Sequence, residues 1–507
     1  MANTDVGQVI ATVFDDQSFT AWAFPDVADP ELPETEESGS YRDSLQEARS
    51  TTGHDESVVV GEATIAGRPV AAIISDFDFL AGSVGARAAT TVVRAIDQAR
   101  ERGLPLFGSP ASGGTRMQEG TPAFVQMIDV AAAVSRYRRA GNALVVWLRH
   151  PTTGGVMATW GSLGSVTFGE PGALAGFLGP RVYQVLEGEA FPEGVQTTEN
   201  LARCGVIDGV VELSDLRDQL CRLLAVIGSG THTESPPPSP NAGATVEAAR
   251  HDRNGEVWAN VQSTRRLDRP GIRDVLGVAE QVTSLSGTGD GEASDAVVLA
   301  LCQLRGHSVV LVGQDRQAQQ AGVGLDAGAL RVARRGFALA SELQLPLVTV
   351  IDTAGAELSP AAEQGALAGE IARCLADLSL STVPAVSVLL GMGCGGGALA
   401  FLPADRVLAA EHSWLSPLPL EGASVIRYRT ADHAATMAEL QRVGAADLKA
   451  AGIVDQLIAE RPDAADESGA FTSRVVEAVA GQLDELTQLS ASQRRATKRA
   501  RYGAGST

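Results

Sequence analysis

The chain has 507 residues, 44% of them hydrophobic and 20% charged, which is enough to build two sizeable globular domains. The net charge of −21 argues against a general nucleic-acid binder, and an aromatic content of 5% argues against stacking platforms for single strands. The start, MANTDVGQVI, lacks the basic region of a signal peptide, so the sequence predicts a cytoplasmic protein.

Segments that read as a strand, a turn and a helix recur along the chain. In the first part, NALVVWL (142–148) predicts a buried strand, and PTTGGVMATW (151–160) follows it as a turn that leads into a helix. Later, the uncharged run 383–402 is long enough to cross a membrane, but Pro384 and five glycines favour a buried strand, a turn and a helix. Near the end, SQRRATKRAR (492–501) predicts a solvated helix or tail.

Cysteine and lysine usage excludes several kinds of site. The five cysteines form no CxxC pair, which excludes a zinc ribbon and argues against a disulfide framework. The two lysines, Lys449 and Lys498, belong to no GxxxxGK[ST] phosphate-binding loop, and the chain has no GxSxG nucleophile elbow. Cys394 lies in a glycine run; we favour a small residue in a crowded turn over a nucleophile, because no histidine is near it in sequence.

The two parts of the chain repeat each other. Three pairs of segments match in the same order: 103–114 with 344–355, 145–158 with 386–400, and 202–212 with 449–459. The separation is 241 residues between Pro105 and Pro346, and 242 between Gly155 and Gly397. The repeat predicts two homologous α/β units in which strands and helices alternate, and the Pro-, Ser- and Gly-rich stretch 228–244 predicts a linker between them.

Each unit offers two glycine turns, and each turn follows a strand. The turns contain Gly113, Gly114, Gly154 and Gly155 in the first unit and Gly355, Gly396 and Gly397 in the second. If the two turns of one unit converge, their backbone N–H groups form an oxyanion hole, a pocket of donors for a developing negative oxygen. The alternative is that these glycines only permit close packing of helix on strand; four turns repeated in order favour the functional interpretation.

These motifs resemble the carboxyltransferase of bacterial acetyl-CoA carboxylase. The first unit is similar to the β subunit in DFDFLAGSVG (76–85), SPASGGTRMQEG (109–120), HPTTGGV (150–156) and ALAGFLGPRVYQ (173–184). The second unit is similar to the α subunit in EVWANVQSTRRLDRP (256–270), PLVTVIDTAGA (346–356) and AADLKAAGIVDQLI (445–458). The resemblance covers roughly residues 35 to 460 and implies a fusion of both subunits, each half a crotonase-like ββα superhelix of the α/β class.

The resemblance implies a reaction that needs few reactive side chains. The carboxyl group passes from carboxybiotin to acetyl-CoA, or a short acyl-CoA, through an enolate, and malonyl-CoA is the product of acetyl-CoA. Gly113 or Gly114 with Gly155 would hold the acyl-CoA enolate, and Gly355 with Gly397 or Ala398 would hold biotin. Residues expected near the CoA or biotin side are Phe79, Gly82, Ser83, Gly85, Arg116, Cys394 and Gly395. For Arg116, a structural ion pair is an equal alternative.

The resemblance also implies domains, cofactors and partners. The expected divisions are an N-terminal extension (1–34), an acyl-CoA domain (35–227), the linker (228–244), a biotin domain (245–462) and a helical basic tail (463–507). Biotin is expected on a separate carrier protein, with a biotin carboxylase subunit as a further partner. No nucleic acid, membrane or zinc is expected.

The departures from the family pattern concentrate on the biotin side. Met392 and Gly395 stand where the family has a glutamate and a serine, Cys394 replaces a glycine, and Ala354 replaces a proline. Two other functions therefore stay open: a biotin-independent decarboxylase of malonyl or methylmalonyl thioesters, and a non-catalytic subunit of a carboxylase complex.

The expected assembly is a dimer or a dimer-based oligomer. The resemblance implies that the first half of one chain faces the second half of another, so that two chains build two equal sites. The alternative is that the linker folds the two halves of one chain onto each other.

Overall fold

The computed structural model describes residues 4–27, 29–30, 36–177, 179, 183–184, 188–204, 206–227, 256–288 and 292–502. The last described helix of the first half ends at residue 227, and the first described helix of the second half begins at residue 256. The predicted linker, 228–244, lies outside the described residues. In the described part of the chain, no helix is both long and apolar enough to cross a membrane.

The first half is built on a seven-stranded sheet in the order β1-β2-β3-β4-β5-β7-β9, and β6 and β8 form a small separate sheet. β1, β2 and β3 are antiparallel, and the strands from β3 to β9 are parallel. The strands are β1 (Thr20–Ala21), β2 (Val58–Ile65), β3 (Arg68–Ser75), β4 (Leu106–Ser109), β5 (Leu144–Leu148), β6 (Thr152–Thr153), β7 (Val166–Gly169), β8 (Ala175–Gly176) and β9 (Gly209–Val210).

The second half repeats this topology in the order β10-β11-β12-β13-β14-β15-β17, with β16 paired to β14. The strands are β10 (Glu280–Leu285), β11 (Val297–Leu304), β12 (His307–Gln314), β13 (Leu347–Thr353), β14 (Ala385–Cys394), β15 (Arg406–Ala410), β16 (Trp414–Ser416) and β17 (Gln456–Ile458). Both halves also close their hairpin in the same way: Ala66–Gly67 and Arg305–Gly306 all have positive φ, as the two-residue turn between twisted strands requires. The predicted α/β class with two homologous halves is confirmed.

Helices cover the sheets and join the two halves. The helices of the first half are α1 (Val6–Val13), α2 (Glu36–Thr52), α3 (Ala86–Glu101), α4 (Gly120–Val125), α5 (Met127–Arg139), α6 (Gly154–Val156), α7 (Thr198–Arg203) and α8 (Leu213–Ile227). The helices of the second half are α9 (Glu256–Ser263), α10 (Ile272–Gly277), α11 (Arg316–Gln320), α12 (Ala327–Leu343), α13 (Pro360–Gln364), α14 (Leu367–Ser379), α15 (Gly395–Leu399), α16 (Leu420–Tyr428), α17 (Ala434–Leu440), α18 (Ala445–Ala450), α19 (Ser468–Thr487) and α20 (Ala491–Tyr502). α5 packs against α14, and one hydrophobic core runs through both halves at this contact.

The predicted strands and turns occur where the sequence placed them. β5 is fully buried, as its continuous apolar run predicts for a parallel strand with both faces covered. The uncharged run 383–402 contains β14, a glycine turn and α15, which confirms the strand, turn and helix predicted for that segment.

The terminal segments are not detached from the two halves. In the N-terminal extension, Val9 and Val13 of α1 pack into a core cluster together with Leu220 of α8. At the other end α19 packs on the second sheet, and α20 buries Lys498, whose Nζ donates to the Leu378 carbonyl at 3.2 Å. The expectation of a solvated basic tail was therefore wrong for one face of α20, because its apolar and aliphatic side chains cover the core of the second half.

Candidate active site

A cavity of about 480 Å³ lies between the two halves of the single chain. The glycine turns that follow β5 and β14 both line it, together with the turns that follow β4 and β13. The rest of the lining is mainly apolar and comes from both halves: Met117, Phe124, Met127, Phe177, Leu358, Ile371, Leu375, Leu399 and Ile426. The turns that the sequence singled out therefore do converge, and the structure brings them together within one chain; the contribution of a second chain to the site stays a prediction.

The turn after β5 leaves backbone donors free at the start of α6. Gly154 has a φ of +61°, a conformation that favours glycine, and its N–H donates to the Phe177 carbonyl at 3.0 Å. Thr153 precedes α6 and makes no side-chain capping bond. Since the first N–H groups of a helix have no partner within it, the amides of Gly155 and Val156 remain as donors.

The neighbouring turn after β4 lies against the first one, but its glycine amides are already used. An ideal Cβ on Gly114 would lie 4.0 Å from the nitrogen of Gly155, so the two turns touch. The Gly113 N–H donates to the Ala81 carbonyl at 2.9 Å, and the Gly114 N–H donates to Ser112 Oγ at 3.0 Å. The expectation that these two amides act as donors is therefore not met, because each already has a partner inside the protein.

Thr115, the next residue, lines the cavity in their place. Within the described residues, neither its backbone N–H nor its Oγ1 has a hydrogen-bond partner. An ideal Cβ on Gly155 would lie only 2.6 Å from Thr115 Oγ1, so this residue is the direct neighbour of the free amide at the start of α6.

The second half repeats this construction with a separation of 241 residues. The Gly355 N–H donates to Thr353 Oγ1 at 3.1 Å, as Gly114 does to Ser112. Ala356 is the equivalent of Thr115. The residue after Ala356, Glu357, donates its N–H to the Leu325 carbonyl, and the residue after Thr115, Arg116, donates its N–H to the Val84 carbonyl in the equivalent position.

The structure pairs the glycines at the helix starts of the two halves one residue differently from the sequence comparison. Gly395 begins α15 with a φ of +63° and is therefore the equivalent of Gly154, which makes Gly396 the equivalent of Gly155. Gly395 and Gly396 line the cavity, whereas Gly397 and Ala398 are buried behind it. The pairing of Gly155 with Gly397 was wrong because the extra residue in the second segment lies on the C-terminal side of the turn.

The sequence also matches known proteins along most of its length. Residues 33–497 match the family model described as "Carboxyl transferase domain". The chain belongs to this family. It is similar to the "Probable biotin-dependent acyl-coenzyme A carboxylase beta3 subunit" of Mycobacterium tuberculosis H37Rv, with 49% identity over 99% of this chain and 98% of the relative. It is also similar to the "Acetyl-coenzyme A carboxylase carboxyl transferase subunits beta/alpha" of Saccharopolyspora erythraea, with 35% identity over 95% of this chain and 85% of the relative.

Among solved structures, transcarboxylase 12S has 23% sequence identity over 96% of this chain and 90% of its own, with a TM-score of 0.38. The beta subunit of P. aeruginosa geranyl-CoA carboxylase has 15% identity over 98% of this chain and 88% of its own, with a TM-score of 0.35. From the family match and the curated relatives, the chain is a carboxyltransferase of the acyl-CoA carboxylase type.

Arg116 of this carboxyltransferase is an internal ion-pair residue. Its side chain is fully buried, and its guanidinium donates to both carboxylate oxygens of Glu56, at 2.7 and 2.8 Å. Glu119 and Tyr41 complete the buried network, in which Tyr41 donates to Glu119 at 2.5 Å. Burial opposes the charge of Arg116, but Glu56 more than compensates and raises its pKa above the usual value. Of the two alternatives for Arg116, the structure supports the ion pair.

The segment around 79–85 lies behind the cavity rather than in its lining. Phe79 is fully buried beneath Arg116. An ideal Cβ would lie 2.0 Å from the Ala111 carbonyl oxygen at Gly82, and 2.1 Å from Glu119 Oε1 at Gly85, so both glycines permit close packing. Ser83 accepts a hydrogen bond from Arg116 through its backbone carbonyl. None of these four residues lines the cavity, and their expected contact with CoA stays a prediction.

Cys394 lines the cavity but is not an activated nucleophile. Its side chain is buried, and burial raises the pKa of the thiol to about 12. At neutral pH the residue is therefore a protonated thiol, which agrees with the sequence-based preference for a small residue in a crowded turn.

Phe177 is a site residue that the glycine pattern did not reveal. Its carbonyl accepts the Gly154 N–H, and its ring lies so close to the other half that an ideal Cβ on Gly396 would be 2.7 Å from Cζ. Its own N–H donates to Glu363 Oε2 of α13 at 3.0 Å. Phe177 thus contacts both glycine turns. The signals for Thr115 and Ala356 were present in the sequence, since each directly follows a recognised glycine.

One group in the described residues has the spacing of a metal site: His412, Glu460 and Asp463. Arg269 occupies the position that a cation would take, because it donates to both carboxylate oxygens of Glu460 at 2.6 and 2.7 Å. Burial opposes ionisation of Glu460, but hydrogen bonds from His412 and Arg269 lower its pKa to about 2. We therefore interpret this group as a structural ion-pair network.

Proposed function

We propose that this carboxyltransferase moves a carboxyl group from carboxybiotin to the α-carbon of acetyl-CoA or another short acyl-CoA, and that acetyl-CoA gives malonyl-CoA. The observation that supports this most strongly is the pair of glycine turns, one from each half, that face a single cavity with helix-start amides free. The name of the Mycobacterium relative, a biotin-dependent acyl-CoA carboxylase subunit, supports biotin as the carboxyl donor.

The lining of the cavity fits a reaction that needs hydrogen-bond donors rather than a base. Among the described lining residues there is no carboxylate, histidine, lysine or arginine; the polar side chains are Thr115, Thr159 and the protonated thiol of Cys394. Thr159 is already bound, since its Oγ1 donates to the Gly155 carbonyl at 2.7 Å. The protein therefore offers amides, one free hydroxyl and two helix starts, all of which stabilise negative oxygen.

In this proposal the first half holds the thioester. The amide of Gly155, with the amide and hydroxyl of Thr115, donates to the thioester oxygen as it gains negative charge in the enolate. These donors are fixed before the substrate arrives, so little reorganisation is needed when charge develops. The apolar side chains around them, including Met127 and Phe124, exclude water and strengthen each hydrogen bond.

The second half is proposed to hold biotin. When bound, carboxybiotin supplies the carboxyl group as CO₂. The residues present fit a ureido oxygen, because Gly396 and Ala356 carry amides at a helix start and a neighbouring turn, with Gly355 and Gly395 beside them in the lining. Cys394 and Met392, which depart from the family pattern, leave these backbone donors in place because no side chain is needed to form them.

The proposal includes a separate biotin carrier protein, a biotin carboxylase subunit and a homo-oligomer as the working assembly. The first two partners are supported by the name of one relative, a biotin-dependent acyl-coenzyme A carboxylase subunit, and by that of another, the carboxyl transferase subunits of acetyl-coenzyme A carboxylase. Neither ADLKAAG nor RATKRAR resembles a biotin-accepting hairpin, and Lys498 is buried. In this proposal the donor therefore reaches the cavity on a separate carrier protein.

The experiment that tests the proposal is exchange of label between malonyl-CoA and acetyl-CoA, with and without biotin. Exchange that requires biotin supports the proposal. Loss of CO₂ from malonyl-CoA without biotin would establish the decarboxylase instead, and no reaction in either arm, with the partner subunits present, would establish a non-catalytic subunit. Repeating the assay with propionyl-CoA and longer acyl-CoAs defines the acyl length.

A further inference from the structure

A second cleft, of about 610 Å³, lies between the two halves at the C-terminal end of α5. α12 and α14 of the second half form its other side. Its charged lining residues are Arg138, Arg139, Arg334, Arg373 and Asp377. α14 presents Ile371 and Leu375 to the active-site cavity and Arg373 and Asp377 to this cleft, so the two spaces lie on different faces of one helix.

Positive charge dominates this cleft although the chain carries a net charge of −21. Four arginines line it, two from each half, against the single carboxylate of Asp377. Arg334 already uses that carboxylate, because its Nε donates to Asp377 Oδ2 at 2.8 Å, whereas Arg139 is 4.0 Å from it. The cleft therefore holds more guanidinium groups than its own carboxylate can balance.

Arg138 is the clearest sign of this imbalance. The residue is exposed, its backbone carbonyl accepts from the Gly141 N–H at 3.0 Å, and its guanidinium has no ion-pair or hydrogen-bond partner among the described residues. Burial, and then the charge of Arg373 from the other half, lower the pKa of Arg138 below its usual value. The nearest carboxylate to Arg373 is Glu370, at 3.7 Å, and Glu370 also pairs with Arg331 and Arg334. Two guanidinium groups from different halves thus repel each other across the cleft.

We propose that this cleft binds a diphosphate group, which joins the two halves by bridging Arg138 and Arg373. Guanidinium groups donate paired N–H bonds to phosphate oxygens, and two adjacent phosphates have enough acceptors for several arginines at once. A bound diphosphate would replace the repulsion by attraction and would stabilise the arrangement in which the glycine turns of both halves face each other.

Two sources can supply the diphosphate. One is a free nucleotide or pyrophosphate, which would occupy the cleft as a separate ligand. The other is the diphosphate of the CoA substrate itself, since Met127 lines the active-site cavity and Arg138, eleven residues further along α5, lines this cleft, a distance of about 16 Å. The chemistry of recognition is the same for both, so the experiment has to separate them.

The test is a titration of the full chain with inorganic pyrophosphate by calorimetry, with sodium chloride at matched ionic strength as the blank. We expect one site per chain in the wild type, and affinity at least about tenfold lower in Arg138→Gln and in Arg373→Gln, since each loses a charge-assisted pair of hydrogen bonds. Arg305→Gln is the control: Arg305 is half-exposed in the turn between β11 and β12, is 3.3 Å from Glu477 and does not line the cleft, so its replacement should leave the affinity unchanged.

Thermal unfolding gives a second measurement that does not depend on binding enthalpy. Without pyrophosphate, Arg138→Gln should unfold at no lower temperature than the wild type, because it removes a repulsion and breaks no bond. With pyrophosphate, only the wild type and Arg305→Gln should gain stability. A titration repeated with saturating acetyl-CoA separates the sources: retained binding identifies a separate ligand, and competition identifies the diphosphate of CoA.

Several results would overturn the proposal. They are no binding of pyrophosphate to the wild type, equal affinity in Arg138→Gln and the wild type, or an equal loss in all three variants. A lower unfolding temperature of Arg138→Gln in the absence of anion would show that Arg138 has a structural partner, and would equally overturn it.

Discussion

The substitution Gly155→Ala places one methyl group at the centre of the first-half turn. An ideal Cβ there lies 2.6 Å from Thr115 Oγ1, while the next contact, Met127 Cγ, is at an acceptable 3.4 Å. Gly155 does not have a positive φ, so its backbone conformation is open to alanine. The overlap with the Thr115 hydroxyl is therefore the whole steric problem, and either Thr115 or the start of α6 has to move to relieve it.

The expected loss is much larger in turnover than in stability. Displacing one donor of an oxyanion hole costs about 100- to 1000-fold in kcat, or about 2.7–4 kcal/mol of transition-state stabilisation. Overpacking of this kind costs about 1–3 kcal/mol of folding free energy. The exchange of glycine for alanine in a helix offsets about 0.5–1 kcal/mol of that. We therefore expect a folded variant with a modestly lower unfolding temperature and at least about 100-fold slower label exchange.

The assays are label exchange and thermal unfolding of the same preparations. Thr115→Ala removes the overlapping hydroxyl, so the double variant should recover to the activity of Thr115→Ala alone, which shows coupling of neighbours. Gly481→Ala in α19 is the control: no atom lies within 4 Å of the added Cβ, and activity should be unchanged. If Gly155→Ala exchanged label at the rate of the wild type and had an unchanged unfolding temperature, the assignment of this turn to the oxyanion hole would be refuted.

Three further predictions concern other parts of the molecule. Avidin blotting of the purified chain should be blank, because Lys449 donates to a backbone carbonyl at the surface and Lys498 is buried; a strong signal would contradict a separate carrier. The hydrogen bond to Glu460 raises the pKa of His412 in the folded protein. The contribution of this pair to folding stability is therefore complete below the pKa that His412 has in the unfolded chain, and it is lost as the pH rises through the pKa of His412 in the folded protein. His412→Gln should therefore be destabilised in urea unfolding at mildly acidic pH and match the wild type at alkaline pH; an equal deficit at both would count against the ion pair. Phe177→Ala should raise KM for the acyl-CoA and lower kcat together, because both turns lose a shared contact; an effect on stability alone would assign Phe177 to packing.

The sequence by itself determined the repeated architecture and the position of the turns. Buried parallel strands such as β5 need continuous apolar runs, and a helix start such as Gly154 or Gly395 needs a residue that tolerates positive φ; both requirements are local and leave a mark in sequence. The amides of Gly114 and Gly355 each donate to a hydroxyl two residues earlier. This hydrogen bond is also local, and the patterns Ser-x-Gly and Thr-x-Gly reveal it in the sequence.

Only the tertiary structure decided which groups are available to a ligand. The Gly113 amide is used by Ala81 and the charge of Arg116 by Glu56, partners that lie 32 and 60 residues away in the chain and leave no periodic signal. The same holds for Phe177, which contacts the turn of the other half through packing that joins distant segments of the chain. Hydrophobic periodicity and turn residues determine where a backbone N–H donor lies in the fold. Whether that donor is available to a ligand depends on which acceptors the tertiary structure places next to it.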